Sequence, residues 1–284
     1  MTRFAYVNGR YRPHAEAAVH VEDRGYQFSD GVYEVVAIHC GCFVDEQPHF
    51  DRLDRSLGEL RIAWPMAPAA LKLVMRELVR RNYLTAGSIY IQITRGVAPR
   101  EHAFPRRHIA PGLVMTTRRA KPLSDTKLRN GVAAITIPDI RWGRCDIKSI
   151  ALLPNVLGKQ AAAEAGAYEA WLVNAAGEVT EGTSSNSWIV TREGRVVTHP
   201  PSPRILNGVT RLTVLRLAAE SQIAVEERPF TLRELKSARE AFLTSTSSHV
   251  LPVTSVDGEA IGDGRPGPVA MRLRELYMAA LNRL

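Results

Sequence analysis

The sequence predicts a mixed α/β (α+β) fold in two domains, and three observations predict it. At 284 residues the chain can bury a large core and exceeds what one average domain needs. Apolar residues alternate in some windows and recur at helical spacing in others, without the βαβ rhythm of a doubly wound sheet or barrel. A polar, proline-containing stretch, "RRAKPLSDTK", separates two such mixtures. The expected domains are therefore a smaller one at 1–119 and a larger one at 128–284, joined by a linker at 120–127.

The elements follow in order. "FAYVNGRYR" predicts a hairpin turning at Asn8-Gly9, residue types that tolerate positive φ. "GVYEVVAIHCGCFV" predicts two strands around Cys40-Gly41. Phe50, Leu53, Leu57 and Leu60 recur as on one helix face, and "PAALKLVMRELVRRN" predicts a second helix. "GSIYIQITRG" alternates as a strand does, and "GVAAITIP" predicts another. "LLPNVLGKQAAAEAG" is a predicted helix, "YEAWLVNAAGEVTEG" and "SNSWIVTREGRVVTHP" predicted hairpin strands. A helix in "TRLTVLRLAAES", a strand in "EAFLTST" and a helix in "PVAMRLRELYMAAL" complete the set.

Composition removes several function classes. With 45% hydrophobic and 23% charged residues the chain is an ordinary globular one. No apolar run is long enough to cross a bilayer, and "MTRFAYVNGRYRPH" lacks the apolar core of a signal peptide. Three cysteines give no disulfide framework, so a cytoplasmic location is expected. The net charge of +8 comes from 37 basic residues dispersed along the chain. Their short clusters lack aromatic interleaving, which argues against nucleic acid as partner and for attraction of small anions.

No metal is expected. His39-Cys40-Gly41-Cys42 has soft ligands but no second pair at zinc spacing. Cys145 reads as a small buried hydrophobe, and "TSTSS" at 244–248 has no base nearby. Nucleophile-elbow, Walker and dinucleotide fingerprints do not occur.

Three features remain open. Lys148, in "RCDIKSIALL", enters an apolar run, where it either snorkels to water or serves as a reactive amine. "ILNGVTRLTVLRLAAE" leads through Asn207-Gly208 into a helix opened by Thr210, either a plain capped helix or an anion seat. Glu181, at the end of a hairpin strand, is either a solvated turn residue or a fixed counter-charge for a protonated ring nitrogen. Together they suit pyridoxal phosphate, which needs a Schiff-base lysine, a group on its pyridine nitrogen and donors for its phosphate.

The order of these motifs resembles the class IV (fold type IV) pyridoxal-phosphate aminotransferases, and within them the branch acting on D-amino acids. The resemblance rests on "EDRGYQFSDGVYEVV", "HFDRL", "QITRG", "PREHAFP", "DIRWGRCDIKSIALLPNVLGKQ", "YEAWLV", "VTEGTSSNSW", "THPPSPRILNGVTR" and "FLTSTSSHVLPV", in family order along nearly the whole chain. It implies a fold type IV enzyme whose two domains hold the cofactor between them. It makes Lys148 the Schiff-base and proton-moving lysine and Glu181 the partner of the pyridine nitrogen. Arg52, Val209, Thr210 and Thr246 become phosphate contacts, Leu206 the apolar side chain against the ring, and Ser184 and Ser185 hydrogen-bonding groups near it. Tyr33, Arg100 and His102 become the trap for the substrate α-carboxylate, a sound role for a bidentate guanidinium. Ala37, on the same strand as Tyr33, is expected to shape specificity.

The activity so implied is transamination between a D-amino acid, such as D-alanine, and a 2-oxo acid, such as 2-oxoglutarate. A homodimer is implied as well, with Arg100 and His102 reaching the partner's site. The same fold would also suit a branched-chain L-amino-acid aminotransferase, an (R)-amine transaminase or an aminodeoxychorismate lyase. A basic nucleic-acid-binding protein is the alternative from another class.

Overall fold

The computed structural model describes residues 3–121 and 123–283. Pro122, part of the expected linker, lies outside the described residues. Contacts divide the chain into two compact units: one runs to Lys121 and takes back Ile147–Ala151, and the other holds the rest of the described chain.

The first unit contains β1 (Phe4–Val7), β2 (Arg10–Pro13), a short helix α1 (Arg24–Phe28), β3 (Gly31–His39), β4 (Cys42–Phe43), α2 (Glu46–Leu60), α3 (Pro68–Arg81), β5 (Gly87–Thr94) and β6 (Gly112–Arg119). Among the described residues these strands make one antiparallel sheet in the order β2-β1-β6-β5-β3-β4. The first hairpin turns at Asn8 and Gly9, with φ of 44° and 91°. Alternation sends Val32, Val36, Ile89, Ile91 and Met115 to one face, all fully buried. Phe50, Leu53 and Leu57 of α2 and Leu71, Met75 and Leu78 of α3 belong to the same core. Each such side chain contributes about 1.5–3 kcal/mol by leaving water.

α3 begins with Pro68 in its first turn, where a missing N–H costs nothing. α2 stops at Arg61, in the left-handed region at φ 53°. Two of its terminal carbonyls, on Leu60 and Arg61, accept from the Arg95 guanidinium at 2.7 and 3.1 Å. A buried arginine thus satisfies acceptors that helix geometry leaves open.

The second unit contains α4 (Asp125–Asn130), β7 (Val132–Pro138), α5 (Leu153–Glu164), β8 (Glu169–Val173), β9 (Glu178–Gly182), β10 (Asn186–Val190), β11 (Val196–Thr198), α6 (Val209–Glu220), β12 (Val225–Glu227), β13 (Phe230–Thr231), α7 (Leu232–Ser237), β14 (Glu240–Ser245), β15 (His249–Val256), β16 (Glu259–Ala260) and α8 (Pro268–Leu281). Among the described residues its sheet runs β12-β11-β10-β14-β15-β7-β8-β9-β13, with β16 beside β15. β7 lies parallel to both β8 and β15, and β11 parallel to β12; the other pairs are antiparallel. The β7–β8 crossover carries α5, as parallel neighbours require. β10 is buried along its whole length, and its Trp188 stacks on Phe242 of β14 at 5.3 Å between centroids.

Two boundaries differ from the sequence reading. Residues 125–127, expected as linker, form the first turn of α4, capped by the Ser124 hydroxyl on the Lys127 N–H. The polar composition that suggested a loop is also that of a capped, solvent-facing helix start. Ile147–Ala151, expected in the C-terminal domain, packs with the first unit. It joins β3 through a Val32–Ser149 bridge, and the Ile150 N–H donates to the Gly31 carbonyl at 3.1 Å.

Candidate active site

That excursion of the chain places Lys148. Ile147 and Ser149 on either side are buried, while Lys148 is half-buried. Its carbonyl accepts from the Tyr33 N–H at 2.9 Å, and its own N–H donates to Ser56 Oγ of α2 at 3.3 Å. Backbone bonds therefore fix the residue from both sides. Its Nζ lies 4.2 Å from the centre of the Tyr33 ring. Among the described residues no hydrogen bond or ion pair holds that nitrogen, so the amine rests on an aromatic face. The close approach depends on Gly31, where a Cβ would press on the Ile93 carbonyl and the Ile150 side chain.

Tyr33, Val35 and Ala37 share the less buried face of β3. The Tyr33 ring lies 5.6 Å from that of Tyr90 on β5, whose phenol burial pushes up to about 12 with help from Tyr33. Glu34 points the other way, into the core. It takes Arg52 Nε and Nη2 at 2.7 and 2.8 Å and pairs with His49 Nδ1 at 2.7 Å. Burial alone would raise the Glu34 pKa, but the Arg52 charge and the hydrogen bonds of Arg52 and His49 outweigh it and hold it at about 2. Arg52 is thus oriented by a carboxylate on the face of β3 opposite Tyr33. Glu34 and His49 were missed in the sequence. The available signal was a carboxylate in phase with Val32, Val36 and Ile38, which demands a buried partner.

Arg100 and His102 occupy an exposed loop and come together on one ring. The Arg100 guanidinium lies 5.1 Å from the centre of Phe28, and the His102 ring lies 5.3 Å from it. Beneath them Arg24, almost fully buried, donates to the carbonyls of Glu101 and His102 at 2.6 and 3.3 Å.

In the second unit Glu181 is the penultimate residue of β9, buried. It accepts from Asn186 Nδ2 at 3.1 Å, from the Leu206 N–H at 3.1 Å and from Arg141 Nη1. Arg141 also pairs with Asp139 at 2.8 Å. Burial alone would lower the Arg141 pKa, but the hydrogen bond to Asp139 and the charge of Glu181 raise it above its ordinary value. Glu181 is therefore no solvated turn residue; three donors hold it. Arg141, Asp139 and Asn186 were missed, because Arg141 meets Glu181 across 40 residues of sequence and no local pattern announces it.

Ser184 and Ser185 both donate to Glu169 at 3.0 Å. That buried carboxylate also accepts from Thr183 Oγ1, from the Ala170 N–H at 3.0 Å and from Lys159 at 3.3 Å. The hydroxyl loop is thereby tied to one carboxylate. α6 starts at Val209, one residue earlier than expected, with Gly208 as N-cap and no side-chain cap bond. A Cβ on Gly208 would collide with Asn186 Oδ1, so glycine lets this turn close over the residue that holds Glu181. Val209 and Thr210 are buried in the first turn, Leu206 is half-buried, and Thr246 lies in the β14–β15 turn.

Elsewhere, Cys40 and Cys42 are exposed at the β3–β4 turn. Among the described residues no three of His, Cys, Asp or Glu gather as a metal set, and no helix is long and apolar enough to cross a membrane.

Residues 31–256 match the model of the amino-transferase class IV family. The chain belongs to that family. This class IV aminotransferase is 46% identical to a D-alanine aminotransferase of Bacillus licheniformis, over 94% of this chain and 93% of that one. It is 42% identical to a D-alanine aminotransferase of Staphylococcus haemolyticus, over 95% of both. Among solved structures it resembles a T.th. branched-chain amino acid aminotransferase with pyridoxamine 5'-phosphate. That match has a TM-score of 0.90 at 28% identity and covers 99% of this chain and 94% of the other. An Escherichia coli branched-chain amino acid aminotransferase gives a TM-score of 0.90 at 24% identity, over 98% and 94%, a likeness of fold. The fold is type IV, and the protein is an aminotransferase.

Proposed function

We propose that this aminotransferase moves the amino group of a D-amino acid, D-alanine among them, to a 2-oxo acid such as 2-oxoglutarate, using pyridoxal 5'-phosphate. The observation that carries the substrate class is the match, over nearly the full length of both chains, to D-alanine aminotransferases. The chain also has a tyrosine, an arginine and a histidine for the α-carboxylate.

The residues fit that cofactor. Lys148 offers an amine set on an aromatic ring and braced by its backbone. Glu181 offers a buried carboxylate held by donors, and the N-cap of α6 is a glycine. When bound, pyridoxal phosphate supplies an electron sink for charge developing at the substrate α-carbon. Lys148 Nζ would hold it covalently between turnovers and, once released, carry the α-proton. Glu181, fixed by Arg141, Asn186 and the Leu206 N–H, would keep the pyridine nitrogen protonated. Arg52, oriented by Glu34, would take the phosphate with the first N–H groups of α6 at Val209 and Thr210 and the Thr246 hydroxyl. Leu206 would pack on the ring, with Ser184 and Ser185 beside it. Tyr33, Arg100 and His102 would bind the α-carboxylate shared by amino acid and oxo acid.

A homodimer belongs to this reading, with Arg100 and His102 reaching the partner's site. Leu153, Val156 and Leu157 on one stripe of α5 are 68, 58 and 55% exposed, an apolar surface suited to a second copy. The three free cysteines suit a reducing, cytoplasmic setting.

The test is to offer D- and L-alanine and D- and L-leucine with 2-oxoglutarate and follow the yellow protein's visible absorbance. Consumption of the D-forms with bleaching is expected. Preference for L-leucine would replace this reading by the branched-chain one that the solved structures suggest. Turnover of amines lacking a carboxylate, or pyruvate release without an acceptor, would point to the amine transaminase or the lyase. Colourless protein with salt-sensitive binding to random duplex would sink the enzyme altogether.

A further inference from the structure

The loop that carries Arg100 and His102 is exposed, yet a trap for a carboxylate needs donors held in place before substrate arrives. What holds them is internal. Arg24 is 3% exposed and divides its guanidinium among three acceptors: Asp30 Oδ2 at 2.8 Å, the Glu101 carbonyl at 2.6 Å and the His102 carbonyl at 3.3 Å. Asp30 is shared with Arg95, which takes Oδ2 at 2.7 Å and Oδ1 at 3.0 Å. Arg95 is itself anchored on the end of α2 and lies 3.6 Å from the centre of the Phe104 ring, two residues beyond His102. One carboxylate so couples two buried guanidiniums, one under the middle of the loop and one under its far side.

The ring of Phe28 completes the support. Arg24 lies 4.9 Å from its centre, Arg100 5.1 Å and His102 5.3 Å. Arg24 and Phe28 are the first and last residues of α1, so one short helix presents both the buried clamp and the platform. A lysine at position 24 could not copy this, because a single ammonium lacks the planar fork that reaches a carboxylate and two carbonyls at once.

We propose that Arg24, with Asp30 and Phe28, is the positioning device of the carboxylate trap: it sets where Arg100 and His102 sit and thereby the affinity for amino acid and oxo acid. Arg24 is buried beneath the loop and acts through its backbone carbonyls. This rests on the reading of Arg100 and His102 as the trap, and the experiment separates the two.

The experiment is a double-mutant cycle on the holoenzyme, reading KM and kcat for D-alanine and 2-oxoglutarate together with the visible spectrum and cofactor affinity. Arg24→Gln is expected to raise both KM values on the order of 10-fold, with spectrum and cofactor affinity unchanged, because two of the guanidinium's three lost bonds hold the loop and Arg95 still holds the Asp30 carboxylate that accepted the third. Arg24→Lys should recover part of this. In an Arg100→Ala/His102→Ala background, Arg24→Gln should add almost nothing, since residues acting as one unit are not additive. Phe28→Leu, at a half-buried position, should give the same pattern and carries the cycle if Arg24→Gln does not fold. A full, additive KM effect in the double-alanine background would overturn the proposal, as would unchanged KM in both Arg24→Gln and Phe28→Leu. If Arg100→Ala/His102→Ala itself left KM unaltered, the trap reading would fall instead.

Discussion

Glu34 and Arg52 meet side by side on the core face of β3, at 2.7 and 2.8 Å, one residue from the tyrosine on the opposite face that underlies the Lys148 amine. The carboxylate is 1% exposed and sits at a pKa of about 2, against its ordinary value of 4.5. The pair therefore contributes stability that is complete above pH 4.5 and is lost as pH falls towards 2, roughly 3 kcal/mol by linkage. Glu34→Gln removes the buried charge that Arg52 pairs with and should cost about 3–5 kcal/mol. Urea unfolding at neutral pH and near pH 3 checks both points: the variant should show a smaller loss on acidification than the parent.

Glu181→Ala should leave the protein folded, because Arg141 keeps its pair with Asp139. The amino-donor half-reaction should slow on the order of 10²–10³-fold, the usual loss when a preorganised electrostatic partner goes. Stopped-flow decay of the visible band measures it. A parental rate would remove Glu181 from the chemistry.

Glu169 collects hydroxyls from Thr183, Ser184 and Ser185. Glu169→Gln has one acceptor oxygen and turns an amide N–H₂ towards donors, so about 1–3 kcal/mol of stability should vanish. Thermal unfolding of the holoenzyme reads this, and an unshifted midpoint would mean that the hydroxyl loop does not depend on the carboxylate.

Cys145 should react last of the three cysteines. Burial pushes its thiol up to about 11, and Glu181 and Asp139 add to this against Arg141. Relative to an ordinary cysteine it then carries about 10²-fold less thiolate at neutral pH. Timed alkylation with iodoacetamide and peptide mapping should find Cys40 and Cys42 labelled first.

Val156→Asp puts a charge in the middle of the exposed α5 stripe. If that stripe faces a second copy, light scattering should show a dimer in the parent and a shift to monomer in the variant. An unaltered mass would place the interface elsewhere.

Local pattern made most elements legible. The 3.6 spacing of Phe50, Leu53 and Leu57 and the alternation in "GSIYIQIT" depend on nothing beyond neighbours in sequence, and α2 and β5 lie there. β6 and β15 were not anticipated: "GLVMTTRR" and "HVLPVTSV" are strands because neighbouring strands accept their ladders. The first turn of α4 read as linker for the same reason, its composition suiting either state.

By itself the sequence determined the family and which polar residues stand in the segments that carry the resemblance. Tertiary structure decided which of those residues restrain one another: Glu34 on Arg52, Arg141 on Glu181, Glu169 on the serines, Arg24 on the loop of Arg100. The physical reason is that a buried charge must find its counter-charge in space. The partner is chosen by how strands and loops come together, so it leaves no fixed spacing along the chain.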